Sequence, residues 1–262
     1  MFGRNKDKAD EIDDEDEAQD VQADEDDTES SDAADEPVDD EPADDELVDD
    51  EPVDNWVAID ESRDWREDGP FDISEVDLDA DDVQRLDFGS LVVTPFDGMQ
   101  LQLQVNQASG QVQALMVVNK AAALEVALFA APAKGSMLAQ VRDDMRAATE
   151  KAGGTMTLAE GPLGVEVRRV LTVVAPNGRE GKQPSRTWMV QGPKWLLRGV
   201  LMGKGATGDG VAGDAELLFE FFCNLVVRRG DSPRVPGELI SLDVPSSIAA
   251  GLDLNTASSK TK

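Results

Sequence analysis

The chain has 262 residues, with 55 Asp and Glu against 24 Lys and Arg, a net charge of −31, no histidine, no tyrosine and one cysteine. Without histidine the usual general base near neutral pH is missing and Ser-His-Asp and Cys-His catalysis are excluded; a lone thiol makes neither a four-ligand zinc site nor an internal disulfide. The acidity is concentrated: residues 1–84 hold 38 acids and 5 bases, whereas residues 85–262 hold 17 and 19 and carry enough apolar residues for one core.

The start, MFGRNKDKAD, has bases with no apolar run behind them, so it does not read as a secretory signal, and a glycine in third place argues against myristoylation. No apolar stretch reaches bilayer length, so no membrane partner is expected, and the single Cys223 suits a reducing, cytoplasmic setting. Residues 9–54 are a low-complexity acidic tract with loose D-E-P-V/A-D units, and Pro37, Pro42 and Pro52 oppose a helix. Like charges repel along it and it offers little to bury, which predicts disorder. Such a tract serves either as a solubilising tail or as a competitor for a basic surface.

Residues 55–84 interleave Trp56, Val57, Ile59, Trp65, Phe71, Ile73, Val76 and Leu78 with acids. Trp56, Trp65 and Phe71 are candidate docking aromatics. They form either a linear motif for a partner or a latch onto the adjacent domain, and direct continuity with the folded region favours the latch. The expected division is a disordered acidic tail over 1–84, one α+β domain over 85–245 and a flexible tail over 246–262.

Leu86–Val93 reads as a first strand ending before Pro95. Met99–Asn106 then alternates apolar and polar over eight residues, as a half-buried strand does. Gln111–Asn119 and Ala122–Ala131 follow after short turns, which together predicts a four-stranded antiparallel meander. Ser136 is placed to cap a helix running to about Ala152, with Leu138, Val141, Met145, Ala148 and Ala152 on one face and Gly153-Gly154 as the stop. Strands Thr155–Ala159 and Val165–Ala175 come next. The stretch Gln183–Ala206 organises the rest: two apolar runs containing Trp188 and Trp195 flank Gly192-Pro193, a turn signal that predicts a central β-hairpin.

Residues 203–213 hold five glycines. They lack the Gly-Lys-Ser/Thr of a phosphate-binding loop. Gly208-Asp209-Gly210-Val211-Ala212-Gly213 matches the G-x-G-x-x-G string, but in antiparallel surroundings a flexible loop explains it equally well, so no cofactor is assigned. Asp214 is placed to cap a helix over Ala215–Asn224, with Cys223 as a small buried residue among Leu217, Leu218, Phe221 and Phe222. Arg229-Gly230-Asp231 reads as chance. Leu239–Val244 closes the domain.

MFGRNK, the acidic tract, GPFDISEVD, LDFGSLVV, EGPLGVEVR, QPSRTWMVQGPKWLLRGVLMGKGA and VVRRGDSP follow in that order. Together they resemble an uncharacterised actinobacterial family, one of the domains of unknown function, over most of residues 69–235. The resemblance implies an actinobacterial, soluble, intracellular protein whose relatives lie near dUTPase genes, and it brings no activity with it. The element order fits an α+β fold, a mostly antiparallel sheet with two packed helices. It is similar in pattern to the Mog1/PsbP-like group, whose domains are often interaction modules.

The composition favours a non-catalytic binding or regulatory module acting through the α+β domain and the acidic tail on a protein partner, with no metal. The alternative is a nucleic-acid-binding domain autoinhibited by the acidic tail. Its interaction face would be Arg168, Arg169, Arg179, Lys182, Arg186, Lys194, Arg198 and Lys204, opposed between residues 163 and 204 only by Glu166 and Glu180. Trp188 or Trp195 would then stack on bases, unless both are core residues. No carboxylate spacing marks an enzyme site, and a metal on the acidic tract would find no preorganised ligands.

Overall fold

The computed structural model describes residues 55–174, 178–208 and 210–244 and the backbone of Leu254–Asn255. The acidic tract, the rest of the 246–262 tail and Asp209 of the glycine string lie outside the described residues. In chain order the elements are α1 (Asn55–Glu61), β1 (Phe71–Asp72), β2 (Leu86–Asp87), β3 (Leu91–Val93), β4 (Gln100–Val105), β5 (Val112–Asn119) and β6 (Ala122–Ala130). Then come α2 (Leu138–Lys151), β7 (Thr155–Gly161), β8 (Gly164–Val174), β9 (Glu180–Gly192), β10 (Trp195–Gly203), α3 (Asp214–Cys223), β11 (Val226–Val227), β12 (Leu239–Ile240) and β13 (Leu254–Asn255).

The fold is α+β and mostly antiparallel. Two meanders, β4-β5-β6 and β7-β8-β9-β10, join through α2 into one sheet in the order β4-β5-β6-β10-β9-β8-β7. β10 closes the seam by pairing with β6 from Trp195 opposite Ala130 to Gly203 opposite Ala122. β12 extends β6, and β13 runs parallel to β4. The expected hairpin at Gly192-Pro193 is present: Gly192 faces Trp195, and Lys194 takes the left-handed turn position at φ 63°.

Leu86–Val93 departs from its expected place. Gly89, at φ 73°, bends the chain, and β2 and β3 pair with each other instead of joining the meander. They form a second sheet in the order β1-β11-β3-β2. Leu91, Val92 and Val93 are all buried, which is the pattern of a strand covered on both faces.

The period-2 alternation of the central hairpin sorts its side chains between two cores. Trp188, Val190, Trp195 and Leu197 face α3 and the small sheet, while Met189 and Leu196 face α2 with Val167 and Met145. Phe222 of α3 lies directly on the strand at Gly199, where a Cβ would sit 2.8 Å from its ring. Each phenylalanine so buried contributes on the order of 1.5–3 kcal/mol.

Both helices differ in detail from expectation. On α2 the buried residues are Arg142, Met145 and Thr149, while Ala148 and Ala152 are exposed. An ion pair from Arg142 Nη1 to Asp60 and a hydroxyl bond from Thr149 to the Met145 carbonyl engage the two polar side chains, and the helix turns its alanines outward. At α3 the boundary is Gly213, at φ 62°, and Asp214 is the first helical residue rather than the cap.

The third helix, α1, lies in the segment assigned to the tail. The described residues belong to one unit, which begins at or before Asn55 rather than at Arg85. This changes the charge sum: residues 55–244 hold 27 acids and 19 bases, a net of −8, instead of near neutrality.

Candidate functional site

Alternation on β8 brings Glu166 to the α3 side of the sheet, directly across from Trp188, with Arg168 across from Arg186. Glu166 is 1% exposed and all its acceptor capacity is used. Its Oε1 accepts from Arg168 Nε and Arg186 Nε, and its Oε2 from Arg186 Nη2 and Trp188 Nε1, all at 2.8 Å. The remaining guanidinium nitrogen, Arg186 Nη1, donates to the carbonyls of Gly205, Gly208 and Gly210 at 3.4, 3.1 and 2.7 Å. The glycine-rich loop is therefore tied down by a buried arginine, and three of its carbonyls point inward at a cation. A phosphate cradle needs the opposite polarity, N–H groups turned to the ligand.

The segment 55–84 is held by a second polar network. Asp72 Oδ2 accepts the indole N–H of Trp195 at 2.8 Å, and its Oδ1 accepts from the backbone and hydroxyl of Ser74. Glu75 accepts both terminal nitrogens of Arg66, whose guanidinium lies over the Trp195 ring. Burial pushes the Asp72 carboxyl up, but the bonds from Ser74 and Trp195 and the charge of Arg66 outweigh it and hold it below the usual carboxylate range. On the opposite face Asp60 pairs with buried Arg142 at 2.6 Å. Gly69, at φ 93°, accepts no side chain because a Cβ would run into the Cys223 carbonyl. These contacts make 55–84 a latch on the domain.

The candidate residues are dispersed. Trp56 is half-buried on α1, Trp65 stacks against Arg63 at 3.8 Å, and Phe71 pairs in β1 with Val226. Trp188 and Trp195 are 1% and 0% exposed, so neither stacks on a base. The eight cations form no single face. Arg186 is 2% exposed and, with Arg168, is engaged by Glu166. Lys182 shares their side of the sheet by register but is exposed on the two-stranded end of β8 and β9. Arg179 lies near that turn, Lys204 follows β10, and Lys194 occupies the turn at the far end. Arg169 and Arg198 project from the other side of the sheet.

That α2 side of the sheet is only partly covered by helix. α2 lies over β7 and β8. Beyond it, Gln102, Gln104, Met116, Val118, Phe129, Arg198 and Met202 are half-buried, and Met116, Val118 and Met202 belong to neither core. Arg198 lies over the Phe129 ring at 4.9 Å and 3.6 Å from Glu125, which also accepts the Gln104 amide. Burial lowers both Arg169 and Arg198 from their ordinary value, Glu125 counteracts this, and the charge of Arg169 lowers Arg198 further.

A model of one protein family matches residues 69–251, described as a protein of unknown function. The chain belongs to the DUF3710 family. No curated protein and no solved structure matches the chain, so the similarity to the Mog1/PsbP-like group stays an expectation. The DUF3710 match begins at Gly69, inside the latch, and so takes in the Asp72–Trp195 contact.

Glu166, Asp72, Asp60 and Arg142 are not singled out by the sequence. For Glu166 the signal existed: parity on β8 and across the hairpin puts it on one face with Arg186 and Trp188. For Asp72 and Asp60, partners 123 and 82 residues away leave no local trace. Among the described residues no helix is long and apolar enough to cross a membrane, and no group of three or more His, Cys, Asp or Glu is gathered to hold a metal. A cleft of about 260 Å³ opens between the latch and the start of α2. Its charged lining, Asp60, Glu61, Asp64, Arg63 and Arg66, is of mixed sign.

Proposed function

We propose that this DUF3710 domain is a non-catalytic protein-interaction module that binds a segment of a partner protein on the α2 side of its sheet, over β4, β5, β6 and β10. The observation that carries this is the lining of that face: the methionines and valine Met116, Met202 and Val118, outside either core and interrupted by glutamines and two arginines. Such a mixture is typical of a protein interface rather than of a covered sheet. The non-catalytic part rests on the buried acids. Glu166, Asp72 and Asp60 are each committed to structural hydrogen bonds, and burial pushes the Cys223 thiol up to about 12. Among the described residues these groups are not left poised as acid, base or nucleophile. That buried, unpaired thiol also suits a cytoplasmic setting. The nucleic-acid alternative loses its stacking platform with Trp188 and Trp195 in the core, and two of its eight cations are tied to Glu166.

Site-specific photocrosslinking tests this in cells making the full chain. Met116→p-benzoylphenylalanine and Met202→p-benzoylphenylalanine should each give a discrete protein adduct that Val118→Arg abolishes. The same group at Val235, which is 71% exposed, should give none. Equal adducts from Val235, or adducts indifferent to Val118→Arg, refute the surface. An adduct removed by nuclease transfers the reading to nucleic acid.

A further inference from the structure

Strand register sets Arg169, Thr187 and Arg198 on one diagonal of the α2-side face. Thr187 lies between Val167 of β8 and Val200 of β10, Arg169 is opposite Ser185, and Arg198 is opposite Met189. The two arginines therefore flank the threonine from opposite corners. All three carry a polar atom shut off from water and without a partner among the described residues: Arg169 Nε, Arg198 Nε and Thr187 Oγ1. Thr187 is itself 0% exposed. Three unmet polar groups in one patch need an explanation, because a buried donor left unpaired is costly.

The contrast with Arg186 is informative. Arg186, a structural tie, has Nε and both terminal nitrogens satisfied by a carboxylate and three carbonyls, and Arg142, although its Nη2 lacks a partner among the described residues, is held directly by the Asp60 carboxylate. Around Arg169 and Arg198 the nearest acid is Glu125, 3.6 Å from Arg198 Nη2 and shared with Gln104. No carboxylate lies within ion-pair distance of Arg169 among the described residues. Two guanidiniums against one carboxylate leave a surplus of one positive charge, on a face where the rest of the lining is neutral.

We infer that Arg169 and Arg198 form an anchor for a single carboxylate, an Asp or Glu side chain of the partner segment, held over Thr187. The inference rests on reading this face as the interaction surface. The charge balance selects the ligand class. One carboxylate neutralises the surplus, whereas a phosphate dianion would exceed it and meet Glu125. Planar guanidiniums grip carboxylate oxygens with two parallel bonds, which suits a side chain entering between two of them.

The test uses the full chain with ¹⁵N-labelled arginine, the Nε–H resonances of Arg169 and Arg198 being assigned by Arg169→Lys and Arg198→Lys. The probe is N-acetyl-tetraaspartate amide, compared with N-acetyl-tetraasparagine amide and inorganic phosphate. The Asp peptide should shift both resonances to saturation, the Asn peptide should leave them unmoved, and phosphate should act only at higher concentration. Arg169→Gln with Arg198→Gln should weaken peptide binding at least tenfold. Arg169→Met should leave the melting temperature of the free protein unchanged or raised, since it removes an uncompensated charge. Absent shifts, phosphate saturating before the peptide, or a clear fall in melting temperature for Arg169→Met, as a structural tie would give, each overturn the anchor. Failure of the peptide with photocrosslinking through Met116 and Met202 intact removes the anchor alone. Loss of both removes the surface as well.

Discussion

Replacing Glu166 by leucine should be among the most damaging single changes in this fold. Among the described residues the carboxylate is the one acidic partner of Arg186, whose side chain is 2% exposed, and it also holds the Trp188 indole. Glu166→Leu leaves the guanidinium charged, buried and supported only by the loop carbonyls. Removing one member of a buried ion pair costs about 3–5 kcal/mol. At roughly 2–4 °C per kcal/mol for a unit of this size, the melting temperature should fall by about 6–20 °C. Arg186→Met in the same background removes the stranded charge, so the double variant should be more stable than Glu166→Leu alone, with a coupling of about 2 kcal/mol. Calorimetry or urea unfolding of the two single variants and the double variant gives the cycle. Hydrogen exchange adds a local readout, because amides of residues 203–213 should exchange faster whenever Arg186 is lost. A loss below about 1 kcal/mol for Glu166→Leu, or strictly additive losses, would refute the picture of a desolvated, mutually dependent pair.

The latch should show its acid in the pH dependence of stability. Asp72 has a folded value below its unfolded one, so its contribution is complete above the ordinary Asp value of about 3.9 and disappears as pH falls through the folded value. Urea midpoints followed by tryptophan fluorescence should separate wild type from Asp72→Asn at pH 7 and pH 5 and converge toward pH 2.5; a constant gap at all pH values would deny Asp72 that role. Cys223, pushed up to about 12 by burial, should resist iodoacetamide at pH 8 for as long as the protein is folded and react within minutes in urea. Prompt alkylation of the native protein would show the α3 core to be open.

Much of the sheet was legible because its strands carry their own periodicity. Met99–Asn106 alternates, the Gly192-Pro193 turn is local, and each predicted strand from Gln111 to Gly203 appears within a few residues of its expected bounds. Leu86–Val93 was misassigned for the converse reason. Three consecutive buried residues after a glycine bend say that a strand is covered on both faces, and they do not say which sheet covers it. The folded unit reaches back past Arg85 because charge alone is no marker of disorder. Residues 55–84 hold 11 acids and 2 bases, yet Asp60, Asp72 and Glu75 are spent on Arg142, Trp195 and Arg66. Acids with assigned donors fold as well as any other residue, and two of those donors, Arg142 and Trp195, lie 82 and 123 residues off in the chain.

The basic residues show why a count of cations was a poor guide to the surface. Arg168 and Arg169 are neighbours, but the strand turns one to each side of the sheet. Arg168 meets a carboxylate placed two residues before it, with Arg186 opposite. Arg169 meets Met156 across the ladder, and among the described residues no acid lies within ion-pair distance of it. Glu166 thus draws two guanidiniums to the α3 side and leaves the α2 side undersupplied with negative charge, since Glu125 alone remains there for Arg169 and Arg198. The surface proposed for recognition follows from where the domain's own acids are consumed. It is the side of the sheet on which arginines outnumber the carboxylates that reach them.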